Sequence, residues 1–243
     1  MVANAVLTDT EPVIEVGACS ECFTPMRTEV ISFLGRRLDY AVLCECCQRR
    51  LTSEREAEEA RNRAGRLAKA FDAMCPPLYR ESDPQRLAGA FLRESEAWEF
   101  SPEGLGFIGA AGTGKTRCAW RLLRRLHFAG RRVYGLTATA YAKACADQFH
   151  DAPEVKAGAE AVLGRCRRVE VLLLDDMGKQ RFTERAEMEL FALLEERTGN
   201  LLPTIWTANA EKGDLKKMLS PDRAEPLIRR LVEFTKVVRG EDK

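Results

Sequence analysis

Gly109-Ala110-Ala111-Gly112-Thr113-Gly114-Lys115-Thr116 is the stretch on which the reading of this 243-residue chain turns. It matches the pattern G-x-x-x-x-G-K-[ST], and each fixed position answers a chemical need. The glycines let the backbone wrap with its N–H groups pointing inward at phosphate oxygens. A helix opening at Lys115 adds its positive N-terminal end. Lys115 then reaches the β- and γ-phosphates, and the Thr116 hydroxyl is a ligand for Mg²⁺. Gly109, Ala110, Ala111, Gly112, Thr113, Gly114, Lys115 and Thr116 are therefore the candidate binding residues for ATP with Mg²⁺. The pattern arises by chance in about one chain in a hundred of this length. The strand before it and the helix after it lower that chance further.

The flanking sequence alternates strand and helix. Gly104 to Ile108 is a short strand candidate leading into the loop. Lys115 to Ala129 reads as a helix stopped by Gly130, the usual residue past a C-terminus. Arg132 to Thr137 is a strand, and a helical stretch starts at Ala138. Val169 to Leu174 is a continuous apolar run, as expected of a strand buried on both faces. Thr183 to Thr198 is a helix with Thr183 as its cap. Pro203 to Thr207 is a strand, followed by helical segments near Gly213 and Pro226 and a last strand at Thr235 to Val238. This alternation predicts an α/β fold, a parallel five-stranded sheet flanked by helices.

Two strand ends carry candidate chemistry. Val171-Leu172-Leu173-Leu174 runs into Asp175 and Asp176, about 60 residues after the loop. At the carboxyl end of a buried strand beside the phosphates, Asp175 would hold Mg²⁺, directly or through water. Asp176 would orient or deprotonate the attacking water. Thr204-Ile205-Trp206 leads to Thr207, Ala208 and Asn209. A neutral amide near the γ-phosphate positions water and reports whether that phosphate is present.

A different composition governs the N-terminal part. Of nine cysteines, five lie between Cys19 and Cys47, while Cys75, Cys118, Cys145 and Cys166 are scattered singly. Cys19-x-x-Cys22 and Cys44-x-x-Cys47 are separated by 21 residues. Paired knuckles of this kind supply four thiolates for tetrahedral Zn²⁺, and Cys46 could replace Cys44 or Cys47 as a ligand. A module of this size is too small for a good core, so metal would supply much of its folding energy. Val30 to Leu34 and Tyr40 to Leu43 are strand candidates on either side of a turn at Gly35. Ser53 to Met74 reads as a helix with Ser53 and Glu56 as a capping box, stopped by Pro76 and Pro77. The expected organisation is a zinc-binding, zinc-ribbon-like domain at 1–50, a helical linker at 51–75 and a nucleotide-binding domain at 76–243.

The chain is 45% hydrophobic and 31% charged, with a formal net charge of +1. That balance gives no global basic field, so any nucleic-acid contact must come from local patches. Arg121, Arg124, Arg125, Arg131, Arg132, Arg165, Arg167 and Arg168 are candidates for phosphate contact, and Arg36, Arg37, Arg49 and Arg50 could do the same in the cysteine module. His127 and His150 have no partner pattern and receive no catalytic role. No apolar run approaches the roughly 20 residues of a membrane span. The first twelve residues do not read as a secretory signal, so a cytoplasmic location without membrane partners is expected.

GAAGTGKT, VLLLDDMG, TIWTAN and LIRRLVEFTKVVRG, taken in order, resemble the AAA+ ATPases of the DnaC/DnaI helicase-loader and IstB transposition-helper group. The likeness runs from about Pro76 to Gly240, and Pro76-Pro77-Leu78-Tyr79-Arg80 looks like the short lead-in motif of that group. The resemblance implies a P-loop NTPase with an AAA+ core, here without the helical lid, that assembles head to tail on single-stranded DNA as a homo-oligomer when ATP-bound. It places Asn209 at the sensor asparagine and Arg230 at the arginine that reaches into the neighbour's ATP. The family has Asp just before that arginine and this chain has Arg229, so the two arginines share the candidacy. It also places Asp176 where the family often has Glu. Some DnaI-type loaders carry an N-terminal zinc domain that grips the replicative helicase, which makes a helicase the expected partner of residues 1–50.

Overall fold

Leu105, Phe107, Val171, Leu173 and Ile205 face one side of a sheet, while Leu172, Leu174, Trp206 and Ala208 face the other. Successive strand residues point to opposite faces, so a run such as Val171–Leu174, fully buried throughout, needs helices above and below. A computed structural model describes residues 13–30, 32–33, 36–37, 43–81, 83–87, 89–179, 181–209 and 214–240. Its elements are, in chain order, β1 (Val13–Ala18), β2 (Pro25–Val30), β3 (Ser32–Phe33), β4 (Arg36–Arg37), α1 (Glu45–Met74), α2 (Pro77–Arg80) and α3 (Gly89–Ala97). There follow β5 (Gly104–Gly109), α4 (Lys115–Phe128), β6 (Val133–Thr137), α5 (Ala138–Asp147), α6 (Pro153–Arg168), β7 (Val171–Met177) and α7 (Glu184–Gly199). The last are β8 (Thr204–Asn209), α8 (Asp214–Met218), α9 (Pro221–Glu233) and β9 (Thr235–Arg239).

The large sheet has the order β6-β7-β8-β5-β9, and every pairing in it is parallel. This is the five-stranded parallel sheet expected. Gly106 is required by packing. It sits opposite Trp206 in register, and a Cβ there would lie 2.3 Å from the indole ring. The Trp206 ring thereby reaches Thr235 of β9, donating from Nε1 to its hydroxyl at 3.0 Å. Three adjacent strands are locked by one side chain.

Several local expectations shift. The sequence places a helix start at Ser53, but α1 begins at Glu45. The reason is the second cysteine knuckle: Cys47 N–H donates to Cys44 Sγ at 3.5 Å, so a sulfur caps the helix. The strand expected from Val169 is Val171–Met177, and α6 has no counterpart in the sequence reading. Of the strand expected over Tyr40 to Leu43, residues 40–42 lie outside those described and Leu43 is not in a strand. The chain divides into two compact units, Met1–Gly65 and Arg66–Lys243, with the boundary inside α1. No described helix is long and apolar enough to cross a membrane.

Candidate nucleotide and metal sites

β5 ends at Gly109, and the chain turns through left-handed Gly112 (φ 83°) and Gly114 (φ 88°) before α4 begins at Lys115. Glycine tolerates these angles at no steric cost, and the turn leaves the first N–H groups of α4 facing the loop. Lys115 is buried, and its ammonium donates to the carbonyls of Gly109 at 2.8 Å and Ala110 at 2.7 Å. Burial lowers its pKa, while the carboxylates of Asp176 and Asp175 act in the opposite sense.

Thr116 Oγ1 lies 2.9 Å from Asp175 Oδ1, so the hydroxyl and the carboxylate that sequence spacing assigned to one ion do meet across 59 positions of chain. Asp175 is buried at the end of β7. Burial raises its pKa, and donated hydrogen bonds from Thr207 and Thr116 hold it back down. Thr207 Oγ1 donates to Asp175 Oδ1 at 2.6 Å and accepts from the Asp176 N–H at 2.9 Å. Asp176 adopts φ 58°, unusual for a non-glycine residue, at a register shift between Leu174 and Met177. The bulge turns the chain so that the Asp176 side chain sits on the cleft, paired with Lys179 at 3.3 Å. Asn209 ends β8 directly opposite Gly109 in register.

These parts converge on a cavity of about 430 Å³ at the carboxyl ends of β5, β7 and β8, lined by Gly112, Lys115, Thr116, Asp176, Lys179 and Asn209 among others. Leu78 and Tyr79 form another wall. The Arg117 guanidinium sits 5.9 Å from the centre of the Tyr79 ring and donates to Leu78 O at 3.0 Å. The volume is in the range of small-molecule sites. The donor set suits a triphosphate with a divalent cation: backbone amides, an ammonium, and a hydroxyl beside a carboxylate. Sequence reasoning missed Arg117 and Lys179 as lining residues. Each directly follows a motif, but a cation at such a place is too common to stand out.

In the N-terminal unit the first knuckle is the turn joining β1 to β2, and the second is the start of α1. The ligand atoms of Cys19, Cys22, Cys44 and Cys47 all lie within 4.8 Å of one another, and Cys22 Sγ is 3.6 Å from Cys44 Sγ. Bonds of about 2.3 Å to a tetrahedral zinc ion require sulfurs about 3.8 Å apart, so the four fit. The Cys44 N–H donates to Cys19 Sγ at 3.4 Å and lowers that thiol's pKa, whereas contact with the sulfurs of Cys22 and Cys44 raises that of Cys47. A dication would relieve this crowding of sulfurs. Cys46 is exposed and outside the group, leaving Cys44 and Cys47 as the knuckle pair.

Most of the candidate phosphate-contacting arginines are engaged within the chain. Arg121 bonds Glu96, Arg125 bonds two carbonyls, Arg131 and Arg132 share Glu170, and Arg167 bridges Glu189 and Glu196. Arg230 on α9 is held by Glu195 of α7 and lies 5.3 Å from the centre of the Phe234 ring. Its neighbour Arg229 is exposed. His127 bonds the Leu67 carbonyl at 2.9 Å, and neither histidine lines the cleft.

Comparison with known proteins adds structural relatives and a family. Among solved structures, that of the DnaC helicase loader aligns with a TM-score of 0.51 and 18% identity, covering 71% of this chain and 99% of that one. That of DnaI gives 0.52 and 19%, over 62% of this chain and 81% of that one. AMPPCP-bound DnaA from Aquifex aeolicus gives 0.52 and 22%, over 68% and 51%. This chain spans about half the length of the replication-initiation proteins it matches, 44% of one and 51% of DnaA. At these identities the likeness is one of fold: a P-loop NTPase with an AAA+ core. No curated protein matches. The model of the family described as "IstB-like ATP binding protein" matches residues 84–242, which contain the glycine loop, both acidic residues and β8. On that match, over more than half of its length, the chain belongs to the IstB-like ATP-binding protein family.

Proposed function

We propose that this protein hydrolyses ATP and acts as a helicase loader in DNA replication, using nucleotide state to control its engagement with single-stranded DNA and with a replicative helicase. The observation that carries the hydrolytic part is the meeting of Thr116 and Asp175 at 2.9 Å beside the Lys115 loop. Magnesium held there would neutralise charge on the phosphates. Lys115 would bind the β- and γ-phosphates, and the loop amides from Gly109 to Thr116 would orient them. Asp176 would position the attacking water and accept its proton, and Asn209 would sense the terminal phosphate. An arginine of α9 would complete the site of a neighbouring copy. A zinc module at 1–50, a helical linker at 51–75 and an ATPase domain at 76–243 would give a partner-binding role separate from the nucleotide site.

The family match favours a second reading, a transposition helper that acts on DNA with a transposase. Steady-state ATP hydrolysis with and without single-stranded DNA is the first test. Turnover stimulated by the DNA is expected, and absence of turnover under both conditions leaves a nucleotide-gated binding module instead. Lys115→Ala should weaken ATP binding by at least about tenfold through loss of charge-assisted bonds. Capture of a hexameric helicase from the native host by the full chain supports the loader, and capture of a transposase supports the helper.

A further inference from the structure

At the acidic end of the cleft stands a cation that none of the motifs accounts for. Lys179 follows Asp176 by three residues, just past left-handed Gly178 (φ 93°). Its ammonium lies 3.3 Å from Asp176 Oδ2, and its side chain remains 65% exposed, on the wall of the cleft. The turn that carries it is anchored. Gly178 N–H donates to Met218 Sδ at 3.3 Å and Phe182 N–H to Met218 O at 2.8 Å, with Met218 itself buried. The other two cations of the cleft are placed elsewhere: Lys115 on the loop carbonyls, and Arg117 against Leu78 and Tyr79.

Position and charge then divide the work. The loop and Lys115 serve phosphates at the head of α4. A terminal phosphate held by Lys115 and by a cation at Thr116 and Asp175 would lie toward the end of β7, where Asp175 and Asp176 place negative charge against it. An ammonium has three donors, and the ion pair with Asp176 uses one. We infer that Lys179 binds the terminal phosphate and makes the cleft prefer a nucleoside triphosphate to a diphosphate. In the free cleft it neutralises Asp176. With the triphosphate bound it donates to a terminal oxygen, and Asp176 is left free to face water. This inference rests on the ATP reading of the cleft and adds the residue that distinguishes ATP from ADP.

The test compares ATP and ADP as competitors against a fluorescent ADP analogue, using the full zinc-loaded chain and its Lys179→Gln and Lys179→Arg variants. Lys179→Gln should weaken ATP binding about tenfold, the worth of a charge-assisted hydrogen bond, and change ADP binding less than about twofold. Lys179→Arg should retain most of the preference. Unfolding midpoints and circular dichroism establish that each variant is folded. Equal weakening of ATP and ADP, or no weakening of either, overturns the inference while leaving the nucleotide site in place. A wild-type chain that binds neither nucleotide overturns the ATP reading itself.

Discussion

One hydroxyl oxygen, Thr207 Oγ1, donates to the Asp175 carboxylate and accepts from the Asp176 N–H. Among the described residues it is the one hydroxyl that bonds both acidic residues, and it comes from β8. Valine has nearly the same shape but neither bond. Thr207→Val should therefore lower ATP turnover about tenfold by displacing the acidic pair, with Mg²⁺-free nucleotide binding unchanged and Thr207→Ser restoring activity. Unaltered turnover in the valine variant would remove Thr207 from the positioning role. Glu170 is the second residue-scale case. Its carboxylate is held below the usual range first by the Arg132 N–H, then by the side chains of Arg131 and Arg132. A depressed folded pKa adds stability above the unfolded carboxylate value, and this is lost as pH falls through the folded value. Glu170→Gln should thus cost about 1 kcal/mol at neutral pH, partly exposed as the group is, and little at a pH below the folded value. Urea unfolding at the two pH values reads the difference.

At the scale of elements, two devices hold the sheet and the helices in place. Arg197 on α7 is fully buried, and among the described residues its hydrogen-bond partners are a hydroxyl and carbonyls rather than a carboxylate. Its guanidinium bonds the Thr204 hydroxyl and the carbonyls of Cys166, Val169, Glu170 and Pro203, tying the end of α6 to the starts of β7 and β8. The staple sits at the opposite strand ends from the cleft. The second device is the sulfur cluster that starts α1. Chelation should release about one zinc ion per chain and expose residues near both knuckles to protease. ATP binding should persist, because the second unit has its own hydrophobic core on both faces of the sheet. Unchanged proteolysis after chelation, with no metal released, would reduce the cluster to four free thiols.

The whole molecule consists of a small cysteine unit and a larger nucleotide unit, and its proposed activity depends on a second copy. The resemblance places Arg230 in the reaching position, but Glu195 holds that guanidinium within its own chain. Arg229 is exposed, and no hydrogen bond or ion pair engages it among the described residues. Glu187, buried on α7, accepts from Ser220 N–H at 2.7 Å and from its hydroxyl at 2.6 Å, fixing the start of the helix that presents both arginines. Arg229→Ala should lower turnover without changing ATP affinity. Mixing it with Lys115→Ala chains should restore part of the activity, since a contact in which the Arg229→Ala chain supplies the loop and the Lys115→Ala chain the arginine has both parts intact. Arg230→Ala should instead lower the unfolding midpoint. Failure of the mixture to recover any activity would place Arg229 outside the neighbour's site.

Local chemistry was enough for the sequence to declare the phosphate loop, the two cysteine knuckles and all five strands of the large sheet. A loop that cradles phosphate is contiguous, its glycines are needed for its own backbone angles, and a two-face-buried strand is apolar along its whole length. The start of α1 was not legible, because its cap is a sulfur that belongs to a tertiary cluster. Helix α6 was missed between stronger signals, its alternation of alanine, glycine and arginine carrying few large apolar residues. What only the folded chain decided was which polar groups meet across long sequence separations. Thr207 joined Asp175 and Asp176 across 32 and 31 positions, and Glu195 claimed Arg230 across 35. Such pairs depend on strand order and helix packing, for which no local pattern carries a signature.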